Sequence, residues 1–334
     1  MSAQWRAQPE RGSRNALRLI IWLAMHCGRP LCRVLLVPIS AYFFITAPLA
    51  RRSSQVFLSR ALDRRPTWRD TFSHLFVFAT TLLDRVYLVN GRQRELTVDV
   101  KNEGTFWDAM KPGRGCLLLG SHLGSFEMLG IIGSVEKKLV INVVMHIVQG
   151  AHLRNLIFGR SQVLPYNIIP LGQPGSMLRV KECLARGEVV GILADRIFGD
   201  EPTLSLPFLG HPARFSLSPW RLAKITGAPM VTVFGLFRGG RRYEIVFEGI
   251  GESVERVEKN ARDAAGGPPS NADSTIPARK DLNLVTHNGS DGKGEHAKHP
   301  DMTPAHLQSY VERLERHARR FPYNWFNFYD YWSA

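Results

Sequence analysis

His122 and Glu127 stand five residues apart in the stretch LLLGSHLGSFE, residues 117–127. An imidazole near neutral pH can take a proton from a hydroxyl. A carboxylate beside it can hold one ring nitrogen, fix the tautomer and stabilise the imidazolium. On one continuous helix, five positions separate two side chains by roughly 140°, because each residue advances about 100°. The pair can meet only if the helix begins after His122. Gly120 can end a strand, Gly124 permits an unusual turn and Ser125 can cap a helix. His122 is therefore expected in a strand-to-helix turn, with Glu127 in the first helical turn.

The spacing alone is weak. It recurs at His296 and Asp301, in a polar stretch that offers no pocket. A capped helix start with a bystander histidine fits His122 as well. Ser121 and Ser125 are possible nucleophiles, but neither lies in a Gly-x-Ser-x-Gly elbow. Asp195 closes the apolar run EVVGILAD, with Arg196 next; a helix cap or a local ion pair is the plain alternative to a role at the site.

The elements around these residues follow from hydrophobic period. Residues 53–95 repeat apolar positions at three and four and read as helix. Short apolar runs follow at 115–120, 138–145, 166–171, 188–195, 229–237 and 243–250, and read as strands. Helical patterns lie at 151–161, 175–187, 218–227 and 305–320. This alternation predicts an α/β fold, a central mixed sheet covered by helices. Ligands of such sheets bind at the carboxyl ends of the strands, where His122 and Asp195 are expected. From about Ser253 to Asp301 no apolar period survives, and the stretch reads as a disordered insertion.

Lys and Arg exceed Asp and Glu by 43 − 29 = 14. Such a surplus favours an anionic partner. No zinc-finger, RNA-binding or helix-turn-helix pattern supports nucleic acid. The first sixty residues carry nine arginines and one acid, Glu10, around the apolar stretches 19–28 and 34–49. A secretory signal, a buried hairpin and a membrane-docking hairpin all remain open; arginines beside apolar runs favour docking on an anionic membrane. The four cysteines form no CxxC pair, so neither a zinc site nor a disulfide framework is expected. Cys116 and Cys183 read as core residues.

GSHLGSFEMLG, GILADR (191–196), LPFLGHPARFSLSPWRLAKITGAPM (206–230) and the terminal PYNWFNFYDYW together resemble the bacterial lipid A late acyltransferases, within the lysophospholipid/glycerolipid acyltransferase superfamily. The likeness spans most of the chain except the insertion. It implies an acyltransferase-like α/β fold behind an apolar membrane-docking segment. It places the family's H-x4-D/E catalytic signature on His122 and Glu127. It implies substrate-binding roles for Asp195, for Arg160 (Arg154 being a second match), and for Gly124, Ser125 and Arg196. Ser218 stands where the family pattern has glycine, and Arg196 where many relatives have glutamine. Arg214 is a further candidate for phosphate. Trp325, Phe326, Phe328, Tyr329 and Trp332 read as core and lid packing. The implied reaction moves a fatty acyl group from acyl carrier protein or acyl-CoA to a hydroxyl of a lipid acceptor, without cofactor or metal. Its place would be the cytoplasmic face of a bacterial inner membrane. A hydrolase using the same base, and a non-catalytic lipid-binding protein, are the alternatives. The expected organisation is a docking segment at 1–52, the α/β core at 53–252, the insertion at 253–303, and a helix with aromatic tail at 304–334 completing the core.

Overall fold

The computed structural model describes residues 14–126, 128–130, 133, 137–145, 166–250 and 303–333. Helices α1 (Arg14–Thr46), α2 (Pro48–Ala61) and α3 (Trp68–Val89) precede the sheet. Then come β1 (Thr97–Lys101), α4 (Glu103–Met110), β2 (Cys116–Gly120), β3 (Ile141–Met145), β4 (Asn167–Pro170), α5 (Ser176–Ala185) and β5 (Val189–Leu193). The hairpin β6 (Thr203–Phe208) and β7 (His211–Ser216) leads to α6 (Ser218–Thr226), β8 (Met230–Gly239), β9 (Arg242–Gly249) and α7 (Thr303–Arg320).

The main sheet has seven strands in the order β1-β9-β8-β2-β5-β3-β4. Every neighbouring pair is parallel except β8 with β9, so the sheet is mixed, as the alternating pattern predicts. β2 runs at its centre, and all five of its residues are buried. Successive side chains leave a strand on opposite faces. Leu117 and Leu119 accordingly join a core with Phe57 of α2, Trp220 of α6 and Leu314 of α7. Cys116 and Leu118 join another with Leu88 of α3 and Phe106 of α4. Burial on both faces explains why the run is continuously apolar.

The helical pattern over 53–95 forms two helices, α2 and α3. Thr67 caps α3, accepting from the Asp70 N–H, while the Asp70 carboxylate accepts from the Thr67 N–H at 2.7 Å: a capping box that starts a new helix. β1, α4 and the β6–β7 hairpin are absent from the sequence-based reading. The hairpin turns through Leu209 and Gly210, both at positive φ. Leucine is a poor marker for such a turn. Here its side chain is buried in the core and its N–H donates to Glu315 of α7 at 2.6 Å, which offsets the backbone cost.

The expected N-terminal hairpin is instead one kinked helix. Gly28 leaves helical geometry at φ 79°, ψ 166°. The chain then continues along α3 in the opposite direction. Tyr87 donates to the Ala24 carbonyl, Arg29 pairs with Asp84, Arg33 lies over Phe76, and Phe44 meets Phe72. The Arg29–Asp84 pair is buried and forked, at 2.6 and 2.8 Å, and Tyr243 of β9 donates to the same carboxylate. This ties α1 to both α3 and the sheet. The other side of α1 is bare: Leu31, Val34, Tyr42 and Ile45 are exposed, Ile45 at 71%. Residues 22–46 are long and apolar enough to cross a membrane, as is α3, which is half buried in the protein.

Candidate active site

The sheet register brings two distant residues together. β2 and β5 are parallel, and Gly120 is paired with Leu193. The Ala194 N–H continues the ladder to the Gly120 carbonyl at 3.0 Å. Two residues past each strand end, His122 and Asp195 meet. His122 Nδ1 lies 2.9 Å from Asp195 Oδ1, and the His122 backbone N–H donates to Oδ2 at 3.0 Å. One carboxylate thus grips both ring and backbone of one histidine. A carboxylate only accepts, so Nδ1 carries the proton, and the neutral ring has its lone pair on Nε2. The Asp195 side chain is fully buried, whereas that of His122 is 22% exposed, so the imidazole can meet a reactant.

Burial pushes the Asp195 carboxyl up. The His122 charge and hydrogen bond, then Arg196 and the Asn327 amide, outweigh it and hold the group down at about 2. The site therefore contains a buried, ionised carboxylate committed to the imidazole.

The turn carrying His122 is fixed by backbone contacts. Gly124 donates to the Asn324 carbonyl at 2.7 Å and Ser125 to the Gly235 carbonyl at 2.8 Å. The His122 carbonyl accepts from Phe326 at 2.8 Å. Gly124 has φ +82°, and a β-carbon there would stand 2.1 Å from the Gly235 oxygen. Only glycine lets the turn cross β8 this closely. Asn324 copies a strand edge, accepting from the Phe237 N–H at 2.7 Å and donating to its carbonyl at 3.1 Å. Tyr310 of α7 donates to the Gly120 carbonyl at 2.9 Å. His74 of α3 donates to the Trp325 carbonyl and accepts from Ser54 of α2 at 2.8 Å.

The remaining predicted residues fall in different places. Ser125 is buried, and its hydroxyl has no hydrogen-bond partner among the described residues. Ser121 is buried and accepts from the Leu123 N–H at 3.2 Å. Arg196 turns toward the C-terminal tail, donating through Nε to Asn327 Oδ1 at 2.7 Å and lying over Tyr329. Arg214 is on β7 and donates to Thr203 at 3.2 Å. Ser218 donates to Glu201 at 2.5 Å. Trp325, Phe326 and Tyr329 are buried; Trp325 stacks on Phe57, and Phe328 lies beside His74. Glu127, Arg154 and Arg160 lie outside the described residues, as does the stretch 253–301. Asn327, Tyr331 and Gly235 line or brace the site without any spacing signal. They are reached only through the folded tail and β8.

A partly exposed histidine just past a strand's carboxyl end, gripped by a buried carboxylate on a helix-covered mixed sheet, defines the class: an α/β protein with a histidine–carboxylate pair at the carboxyl edge of its sheet. The family model described as bacterial lipid A biosynthesis acyltransferase matches residues 70–258, from α3 past the end of β9 and across both His122 and Asp195. The chain belongs to that family. It is an acyltransferase of lipid biosynthesis. A comparison with curated proteins finds no match.

Proposed function

We propose that the protein transfers a fatty acyl group from a thioester donor, acyl carrier protein or acyl-CoA, to a hydroxyl of a lipid acceptor. His122 serves as general base. The His122–Asp195 pair carries this reading: it leaves Nε2 basic and the imidazole accessible. As the acceptor oxygen bonds to the thioester carbonyl carbon, its proton passes to Nε2. The carbon–sulfur bond then breaks, and the imidazolium returns the proton to the departing thiolate. Such a base contributes roughly 10²–10⁴ in rate. Asp195 fixes Nδ1, and Glu127, five residues on in the sequence, adds a second negative charge for the imidazolium. Arg160 is assigned to donor phosphate, which both donors carry.

The same proposal places the enzyme on the cytoplasmic face of a bacterial inner membrane. The exposed apolar residues of α1, and the exposed arginines Arg52 of α2, Arg65 of the loop after it and Arg69 of α3, suit an anionic lipid surface.

The test is transfer by the purified protein from labelled acyl-ACP or acyl-CoA to a lipid extract, with His122→Ala as comparison. Acylated lipid that disappears in the folded variant supports the proposal. Free fatty acid without acylated lipid makes the protein a hydrolase. Transfer that persists in the variant removes His122 from the chemistry.

A further inference from the structure

Asp195 is itself held from 132 residues away in sequence, by the tail after α7. Asn327 is buried, and its Nδ2 donates to Asp195 Oδ2 at 3.0 Å. Which end of an amide faces which neighbour is fixed here by chemistry. Arg196 has no acceptor atom, so the amide atom 2.7 Å from its Nε must be the oxygen. The nitrogen then faces Asp195. Tyr331 completes the grip, donating to the Asp195 carbonyl at 2.8 Å.

We propose that Asn327, oriented by Arg196, is a positioning residue for acyl transfer: its amide fixes the Asp195 carboxylate, and through it the tautomer and facing of the His122 imidazole. The chain of contacts runs Arg196 Nε–H to Asn327 Oδ1, Asn327 Nδ2–H to Asp195 Oδ2, and Asp195 Oδ1 to His122 Nδ1–H. Without Asn327, the hydrogen bond to Oδ2 that remains among the described residues is the His122 backbone N–H, and the carboxylate gains freedom to turn. It also loses a donor that disperses its charge, so it becomes a stronger partner for the imidazolium. Among the described residues, the other titratable and charged groups near Asp195 are Arg196 and the phenols of Tyr310, Tyr329 and Tyr331. Burial, together with the Asp195 charge, holds all three phenols above their ordinary range. They stay neutral across an assay range of pH 5–9 (roughly, from ordinary side-chain values), so none of the three contributes to the acid limb of the profile.

This inference rests on His122 acting as the base, and the experiment separates the two. Asn327→Ala, Arg196→Met, Arg196→Lys and His122→Ala are assayed for acyl transfer, each with a thermal unfolding curve. Asn327→Ala is expected to lower kcat by about 10–100-fold with KM within about two-fold, since a slightly misplaced base loses rate and not substrate affinity. Its acid limb in kcat/KM is expected to move up by about half to one pH unit. Arg196→Met should lower kcat in the same direction, and Arg196→Lys, which can still donate to Oδ1, should recover most of it. A folded Asn327→Ala with unchanged kcat and acid limb, while His122→Ala is inactive, overturns the positioning role alone. Should Asn327→Ala not fold, equal activity of the Arg196→Met and Arg196→Lys variants overturns it. An active His122→Ala overturns the base itself and this inference with it.

Discussion

Replacing Asp195 by asparagine tests the site with one atom changed. The new amide has two orientations. With its oxygen toward His122 Nδ1, its nitrogen meets two donors, the His122 backbone N–H and the Asn327 amide, and both hydrogen bonds to the former Oδ2 are lost. With its nitrogen toward Nδ1, those two bonds survive, but the ring must accept at Nδ1 and carry its proton on Nε2. Two hydrogen bonds kept against one tautomer changed, at about 1 kcal/mol or more per buried bond, selects the second orientation. Nε2 is then protonated and cannot serve as a base. The expected outcome is a fall in kcat of about 10²–10⁴ with KM little changed. Stability should fall as well. The Asp195 carboxyl is held at about 2 against an ordinary 3.8, a difference worth about 2 kcal/mol at neutral pH. Because the folded value is depressed, that contribution is present above about pH 4 and is lost as pH falls through about 2. Asp195→Asn should therefore be less stable than the parent at pH 7, with the gap closing in acid. Acyl-transfer kinetics, urea unfolding at pH 7 and pH 3, and nitrogen NMR of the imidazole supply the three readings. A kcat within about three-fold of the parent, with the ring still protonated at Nδ1, would refute the reasoning.

Three further outcomes test the framework. Gly124→Ala puts a β-carbon 2.1 Å from the Gly235 oxygen at φ +82°; a loss of at least about 1–3 kcal/mol and of activity is expected, measured by urea unfolding and turnover. Asp84→Asn leaves Arg29 buried without its counter-charge and should cost about 3–5 kcal/mol, whereas replacing Arg29 and Asp84 together by apolar residues should cost far less. Val34→Glu with Ile45→Glu should leave the unfolding transition in place, because both side chains are exposed, yet abolish sedimentation with anionic lipid vesicles. Undiminished sedimentation would remove this face of α1 from membrane contact.

What the sequence made legible follows from the range over which its signals act. The strands flanking the site were readable because β2 and β5 are buried on both faces and so continuously apolar. His122 and Asp195 could each be placed at a strand's carboxyl end by that local pattern. Their meeting could not, because it depends on β5 lying directly beside β2 in the register that pairs Gly120 with Leu193. The hairpin β6–β7 escaped because its turn is made by Leu209, whose type argues against positive φ and whose burial permits it. The hairpin expected at the N-terminus does not form, because Arg29–Asp84 and the contacts of Phe44 carry the chain past the kink at Gly28 and onward along α3. The tail's aromatic residues were visible as packing material, but Asn327 among them carried no distinguishing local signal.

The site draws on chain segments far apart: the turn after β2, the end of β5, the middle of β8 at Gly235, and the tail beyond α7. Backbone groups join the turn to the tail and to β8, as in Gly124 to Asn324, Ser125 to Gly235 and Phe326 to His122. Backbone joints tolerate many side chains but not displacement, since each has one donor, one acceptor and a fixed reach. The tail is thus bound to the catalytic turn by the geometry that binds strands in a sheet. Asn324 makes the same point by offering its side-chain amide in place of a strand's peptide. α7 secures this arrangement from outside: Glu248 of β9 accepts from Arg316 at 2.6 Å and pairs with His317 at 2.9 Å, and Tyr310 reaches the last residue of β2. A change that loosens α7 from β9 should therefore be felt at His122 before it is felt in the strands. The turn depends on the tail for two of its hydrogen bonds, whereas β2 keeps its neighbours on both sides.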